Sequence, residues 1–422
     1  MTLHKPLHRT APAVCGCDSA PGLVPVDAAR ARGLALVSPV RKVEMRPLAA
    51  ATGRVLAQDI VAPVPMPLFD NAAMDGYALR LSDLGGRGPW VLPISGRVCA
   101  GDAPGVLPPG GAVRILTGAP LPAGADAVVA QEQVSQLDTA ICLGKAPGHG
   151  QHIRRRGDDM ARGALLLAAG RVIGPREVAA LAGSGIGHVP VTRRLRVAIL
   201  CSGSELVAPG QPLAPGQIWD ANHAMLVAAL AQPWITPIGL PACADTPAAL
   251  RDAVRQAAAH ADIVITTGGV SVGDEDHMAR VIAHLGGRIE VMHLAMKPGK
   301  PMSIGTLGDA VWLGLPGNPV AAFVTWHVIG QVLAGHMAGI ADPGPRKTLA
   351  ALAAPVGHKP GRCEYRPARI LGHDAHGVLQ VRCLEDTGSH RIAQLAQADA
   401  LVMIPAPRAH LEDGELVEVL PL

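Results

Sequence analysis

Asp262-Ile-Val-Ile-Thr-Thr-Gly-Gly-Val-Ser-Val-Gly-Asp-Glu-Asp-His277 is an apolar run of strand length that opens into Gly268, Gly269 and Gly273, then into a helix beginning near Asp274. Strand, glycine turn and helix repeat on both sides of it. LRVAILC (195–201), WITPIGL (234–240) and AVWLGL (310–315) are further apolar runs, separated by segments of helix length. The clearest helix is TPAALRDAVRQAAAHA (246–261), with Thr246 as cap, Pro247 in the first turn and Leu250, Val254 and Ala257 on one face. This alternation predicts parallel strands with crossover helices, an α/β sheet spanning 192–344. Such sheets bind ligands at the carboxyl ends of their strands, so the functional loops should follow Cys201, Thr267 and Leu315.

Outward from this core the pattern changes. CEYRPARIL, GVLQVRCL, ALVMIPAP and GELVEVL predict a small β domain over 345–422. On the other side, IVAPVPMP, DGYALR, WVLPISGRV, GAVRIL and DAVVAQEQV predict a β-rich domain over 62–158. Residues 44–61 and 159–191 mix short strands with one helix and read as a linker domain. VPVDAARARGLALVSPV, within 24–43, predicts a short helix docked on the α/β domain, and 1–23 reads as a loose tail.

The 422 residues carry 37 basic and 34 acidic side chains, a net charge of +3 with no long basic run, which argues against a nucleic-acid footprint. Residues 310–341 hold no Asp, Glu, Lys or Arg and are long enough for a membrane span. Pro316-Gly-Asn-Pro319 divides them, and His327, Gln331 and His336 follow, so a buried strand, a turn and a core helix are expected. The eight Cys are scattered and no segment reads as a signal peptide; reduced thiols and a cytoplasmic location are expected.

Several loops carry residues suited to chemistry. Asp274, Glu275 and Asp276 at a glycine-rich helix start would hold Mg²⁺ against phosphate oxygens, or would merely offset the helix dipole. Met296-Lys-Pro-Gly-Lys-Pro301 places two of the chain's seven Lys in one constrained turn, either an anion site or a solvated turn. Glu205, in Cys201-Ser-Gly-Ser-Glu-Leu206, lies just past a strand end. Gly314-Leu-Pro-Gly-Asn-Pro319 opens the last helix with Asn318 as cap. In the β-rich domain, Phe69-Asp-Asn-Ala-Ala-Met-Asp-Gly-Tyr77 puts Asp70 and Asp75 around a short spacer, and Thr117 falls at a strand end. Arg154-Arg-Arg-Gly-Asp-Asp159 suits tetrahedral oxyanions, though such runs are usually solvated surface.

FDNAAMDGYAL, RILTGAP, RRRGDD, TTGGVSVGDEDH, MKPGKP and GLPGNP, in this order, closely resemble the molybdopterin molybdenumtransferase (molybdenum insertase) family, which includes the C-terminal part of gephyrin. The resemblance runs from about residue 24 to the C-terminus. It implies a multidomain α/β plus β fold in an elongated subunit. The central α/β domain would be similar to molybdopterin adenylyltransferases, with a parallel-rich sheet, β-rich modules and a C-terminal small β-barrel domain. It also implies a homodimer with the active site shared between subunits. The implied reaction takes adenylylated molybdopterin and molybdate to molybdenum cofactor and AMP, with Mg²⁺. Implied partners are molybdopterin adenylyltransferase and the molybdoenzymes or delivery proteins that receive the cofactor.

The catalytic residues implied by the resemblance are Asp75, Thr117, Arg154, Asp159, Glu205, Asp245, Asp276 and Lys297, with Glu205 and Asp276 as metal ligands. Substrate would be held by Gly268, Gly269, Ser271, Gly273, Lys300, Pro316 and Asn318. Two positions depart from the family pattern: Ser204 stands where Asp is common, and His293 where some members have Lys. A His there would make oxyanion affinity pH-dependent. Because the dithiolene sulfurs belong to the substrate, no Cys is expected to be catalytic. The rival readings are an adenylyltransferase acting one step earlier and a scaffold or cofactor carrier without turnover.

Overall fold

The computed structural model describes residues 22–268, 277–385 and 388–422. Its central feature is a six-stranded sheet in the order Ile235–Gly239, Leu195–Cys201, Ile263–Thr267, Ala310–Leu315, Ser303–Leu307, Arg288–Met292. The first four strands are mutually parallel, as the alternation predicts. Ser303–Leu307 and Ala310–Leu315 instead form an antiparallel hairpin. Only Gly308 and Asp309 join them, too few residues for the crossover a parallel pair needs.

The central strands are apolar throughout because both faces are covered. One face packs against the helices Pro247–His260 and His277–His284. Thr246 Oγ1 accepts from Ala249 N, and Leu250, Val254 and Ala257 point inward. Burying a Leu or Val in this way is worth roughly 1.5–3 kcal/mol. The other face is covered by the Pro319–Met337 helix, most of which is buried. That apolar segment is therefore a core helix, preceded by a buried strand and a turn. Trp312 is fully buried and satisfies its indole by donating to Thr266 Oγ1 at 3.0 Å.

The segment Val26–Leu36 is a helix, and it docks through Val26, Ala29 and Gly33. A Cβ added at Gly33 would lie 2.9 Å from a Leu333 methyl, so a larger residue there would require the Leu333 side chain to shift. Val43–Pro47 pairs antiparallel with His188–Thr192, and Ile60–Val61 with Leu165–Leu167, so chain segments far apart in sequence are knitted together.

Residues 76–143 form a second six-stranded sheet. Its strand Ala140–Leu143 gave no sequence signal, since Ala-Ile-Cys-Leu is too short to show alternation. The C-terminal strands run in the order Cys363–His373, Leu379–Cys383, Thr348–Leu352, Leu416–Pro421, Ala400–Ile404, and the last pairs back onto the first. Five strands thus close into a barrel around Val381, Val402, Val419 and their neighbours. Met296–Lys297, from the α/β domain, adds to this barrel alongside Cys363 and Glu364.

Candidate active site

The carboxyl ends of Leu195–Cys201, Ile263–Thr267 and Ala310–Leu315 converge, and their loops are held together through the backbone. Ser202 N donates to Thr267 O at 2.9 Å, and Gly203 N to Cys243 O at 3.2 Å. Gly268 has φ +87°, and a Cβ there would lie 2.2 Å from Ser202 O. No other residue fits that position, because the two loops touch through bare backbone. Gly317 lies against Gly268, 3.7 Å from a Cβ position to the Gly268 Cα.

Around this glycine contact are polar groups without protein partners. Asn222 is buried; its amide donates to Gly317 O at 2.7 Å, yet its Oδ1 has no partner. Asp245 Oδ1 is likewise buried and unpartnered. A buried, unsatisfied oxygen costs about 1–3 kcal/mol, so two at one sheet end mark a place built for a ligand. Glu205 is exposed, and its carboxylate folds over Gly203, where a Cβ would meet Oε2 at 2.7 Å. Pro316 is buried, whereas Asn318 is exposed and donates to Ser389 Oγ at 3.0 Å. Asn318 thus occupies the cap position of the following helix without capping it through its side chain. Gly269, Ser271, Gly273 and Asp276 lie outside the described residues.

Lys297 is engaged by a carboxylate of the barrel domain. Its Nζ is 3.3 Å from Glu364 Oε2, a carboxylate that is 1% exposed on the neighbouring barrel strand. The same carboxylate accepts from Arg366 Nε at 3.0 Å and contacts His358 Nδ1 at 2.8 Å. Since an ionised carboxylate only accepts, His358 Nδ1 carries the hydrogen. Burial alone would raise the Glu364 pKa; Arg366, His358 and Lys297 outweigh it and hold the group below its ordinary value. Glu364, His358 and Arg366 were not singled out from sequence. A Glu and an Arg two apart in a strand look like solvated residues until the barrel closes over them. Lys300 is half-buried, and its carbonyl accepts from Leu294 N at 2.7 Å. Ser204 is exposed, and His293 holds a left-handed φ of 58°.

A second cluster lies in the β-rich domain. Asp75 Oδ1 accepts from both Thr117 Oγ1 and Thr117 N, each at 2.7 Å. The Thr117 hydroxyl and amide lower the Asp75 pKa, with Arg114 adding a smaller effect. Asn71–Ala72 pairs with Ile153–Arg154 on one side, and Ala72 exchanges backbone bonds with Gly118 and Ala119 on the other. One short strand therefore brings Asp75, Thr117 and Arg154 together. Asp159 N donates to Met66 O at 3.0 Å. Asp70 serves as a brace, accepting from Arg155 Nη1 at 2.7 Å and Arg156 N at 2.8 Å. Arg154 is left exposed.

Cys201 is fully buried beneath the loops, and burial pushes its thiol up to about 12. Such a thiol is a poor nucleophile at neutral pH.

In sum, hard oxygen donors and a glycine cradle occupy one cluster, and an ionised Asp with an exposed Arg occupies the other. Both suit phosphate and oxyanion chemistry. Residues 24–185 match the MoeA N-terminal region (domain I and II), 198–335 a probable molybdopterin binding domain, and 350–422 the MoeA C-terminal region (domain IV). The chain is 35% identical over 402 residues to the molybdopterin molybdenumtransferase of Haemophilus influenzae, covering 94% of this chain and 98% of that one. It is 36% identical over 391 residues to its counterpart in Nostoc sp., covering 90% and 88%. The molybdopterin biosynthesis MoeA protein of Pyrococcus horikoshii OT3 superposes with a TM-score of 0.82 at 28% identity, covering 95% of this chain and 100% of that one.

Proposed function

This chain belongs to the molybdopterin molybdenumtransferase family, and we propose that it transfers molybdenum from molybdate into adenylylated molybdopterin, releasing AMP, in an Mg²⁺-dependent reaction. The observation that carries this reading is the unpartnered buried Asn222 Oδ1, held beside the Gly268 cradle by the bond to Gly317, with Asp245 Oδ1 a second unpartnered buried oxygen. Both oxygens only accept, so N–H groups of a bound pterin or a metal ion would satisfy them.

Among the described residues no group of three His, Cys, Asp or Glu side chains could hold a metal alone. Mg²⁺ needs only one or two carboxylates from the protein and completes its shell with water and substrate phosphate. Glu205 and Asp276 would hold the ion, and Asp245 offers a further hard donor. When bound, the ion would polarise the phosphate linkage and offset charge on the departing adenylate.

The protein's own groups position the reactants. Lys297, steered by Glu364, presents fixed positive charge to oxyanion oxygens; Lys300 lies in the same turn. Thr117 holds Asp75 ionised, and Arg154 is free to meet molybdate. The hydrogen bonds formed by Asp75, Thr117, Arg154 and Asp159 all stay within residues 66–160. In the homodimer proposed, one subunit's β-rich domain would complete its partner's cleft. The six cysteines of the described residues are free, in keeping with a reducing cytoplasm.

The test is AMP release from adenylylated molybdopterin with Mg²⁺, with and without molybdate, scored by activation of a cofactor-free molybdoenzyme. Molybdate-dependent release with activation is expected. AMP transfer from ATP to molybdopterin would point instead to the preceding step, and tight pterin binding without turnover to a carrier.

A further inference from the structure

At the end of the α/β sheet opposite the candidate active site, a cavity of about 450 Å³ opens beside the Val43–Pro47 strand and the amino ends of Leu195–Cys201 and Ile235–Gly239. Its wall carries Arg46, Arg54, Arg193, Arg194 and Arg196, with Glu44 as the one carboxylate among the lining residues. Thr236 contributes a neutral part of the wall.

Part of this charge is compensated. Glu44 Oε2 accepts from Arg46 Nη2 at 2.8 Å and from Arg54 Nη2 at 3.1 Å. Behind the wall, Asp262 takes Arg193 in a two-point contact at 2.7 and 2.8 Å and Arg196 Nη2 at 3.0 Å. Five guanidinium groups therefore face two carboxylates. The excess is not simply solvated surface. Arg54 is 3% exposed, and its Nε has no hydrogen-bond partner. Arg194 is exposed and forms no side-chain hydrogen bond or ion pair among the described residues, although the chain places it between two paired arginines.

A set of ion pairs that only braced two domains would be expected to balance. Arginines stay charged at every physiological pH, and their planar forks match phosphate oxygens two at a time. A volume in this range holds a small ligand. We propose that this cavity is a second binding site, for a compact polyanion of the pyrophosphate type, either free or as part of a nucleotide. Arg46 and Arg54 come from the linker segment, and Arg193, Arg194 and Arg196 from the entry to the α/β domain. A bound polyanion would tie the two together and raise the protein's resistance to unfolding.

The test uses the full chain, titrated calorimetrically with inorganic pyrophosphate at constant ionic strength, with thermal unfolding in parallel. A saturable site that persists in Lys297→Ala, and a rise in Tm, are expected. The Arg46→Ala/Arg194→Ala double variant removes two exposed side chains and should weaken Kd at least tenfold. Lys297→Ala, in the candidate active site, and Arg87→Ala, an exposed charge elsewhere, should leave Kd unchanged. ATP as a second titrant separates the sources: tenfold tighter binding than pyrophosphate identifies a nucleotide site, equal binding a site for the diphosphate group alone. Absence of saturable binding, binding unaffected by the double variant, or loss of binding in Lys297→Ala would each overturn the proposal.

Discussion

Replacing Glu364 by Gln tests how the barrel domain serves the candidate active site. The carboxylate is 1% exposed and accepts from Lys297, His358 and Arg366 at distances between 2.8 and 3.3 Å. Gln keeps the shape but offers one carbonyl oxygen, and its amide hydrogens would face donors. Removing one partner of a buried ion pair costs about 3–5 kcal/mol. Lys297 is 40% exposed and can rehydrate, so its share falls toward the roughly 0.2–1 kcal/mol of a surface pair. The His358 and Arg366 contacts carry the remainder, and a net loss of about 2–4 kcal/mol is expected. Against a total stability of about 5–15 kcal/mol this is readily measured by urea unfolding at unchanged m. The pH dependence carries the opposite test. A carboxylate held below its ordinary 4.5 stabilises fully above that value, and the benefit is lost as pH falls through the depressed folded pKa. Glu364→Gln should remove that acid limb. The released Lys297 should also raise KM for adenylylated molybdopterin. A variant within 0.5 kcal/mol of the parent, with unaltered KM, would refute the reasoning.

Gly268→Ala combines a left-handed backbone with a Cβ 2.2 Å from Ser202 O, so insertion activity should fall at least a hundredfold while helix content by circular dichroism persists; near-parent activity would mean the loops do not meet at this point. Asp262 is held at about 2: burial opposes ionisation, but Arg193 and Arg196 outweigh it. With an ordinary value of 3.8, it contributes roughly 2 kcal/mol above that pH, lost as pH falls toward 2, and Asp262→Asn should abolish this acid dependence in denaturant titrations between pH 2 and 5. Cys201→Ser should retain molybdenum insertion, and the native thiol should resist alkylation at pH 8 until the protein is unfolded; rapid labelling of the folded protein would contradict its burial.

The α/β domain was legible because its signals are local. Apolar runs, glycine turns and the Thr246–Pro247 helix start each declare themselves within about fifteen residues, and the loops after Cys201, Thr267 and Leu315 do converge. What stayed hidden depends on which distant segments become neighbours. Ser303–Leu307 is not among the apolar runs that read as strands, and it pairs antiparallel with Ala310–Leu315 because two connecting residues allow nothing else. Thr348–Leu352 and Ala140–Leu143 are short strands whose pairing, not their composition, defines them.

The charged groups show the same limit more sharply. Lys297 reads as part of either an anion site or a solvated turn, yet a carboxylate from the barrel, 67 residues later in sequence, engages it. Glu44 and Asp262 carry no signal in the sequence, yet each gathers two arginines at one sheet end. In every case the decisive fact is desolvation, which a sequence does not display. A Glu on a strand costs nothing in water and several kcal/mol once a barrel closes over it, unless cations follow it inside. The Lys297–Glu364 contact therefore has a functional consequence. The barrel fixes the geometry of a cation that acts in another domain, so changes around Glu364 should register in substrate affinity at Lys297 even though no barrel residue touches the Gly268 cradle through its own side chain among the contacts described.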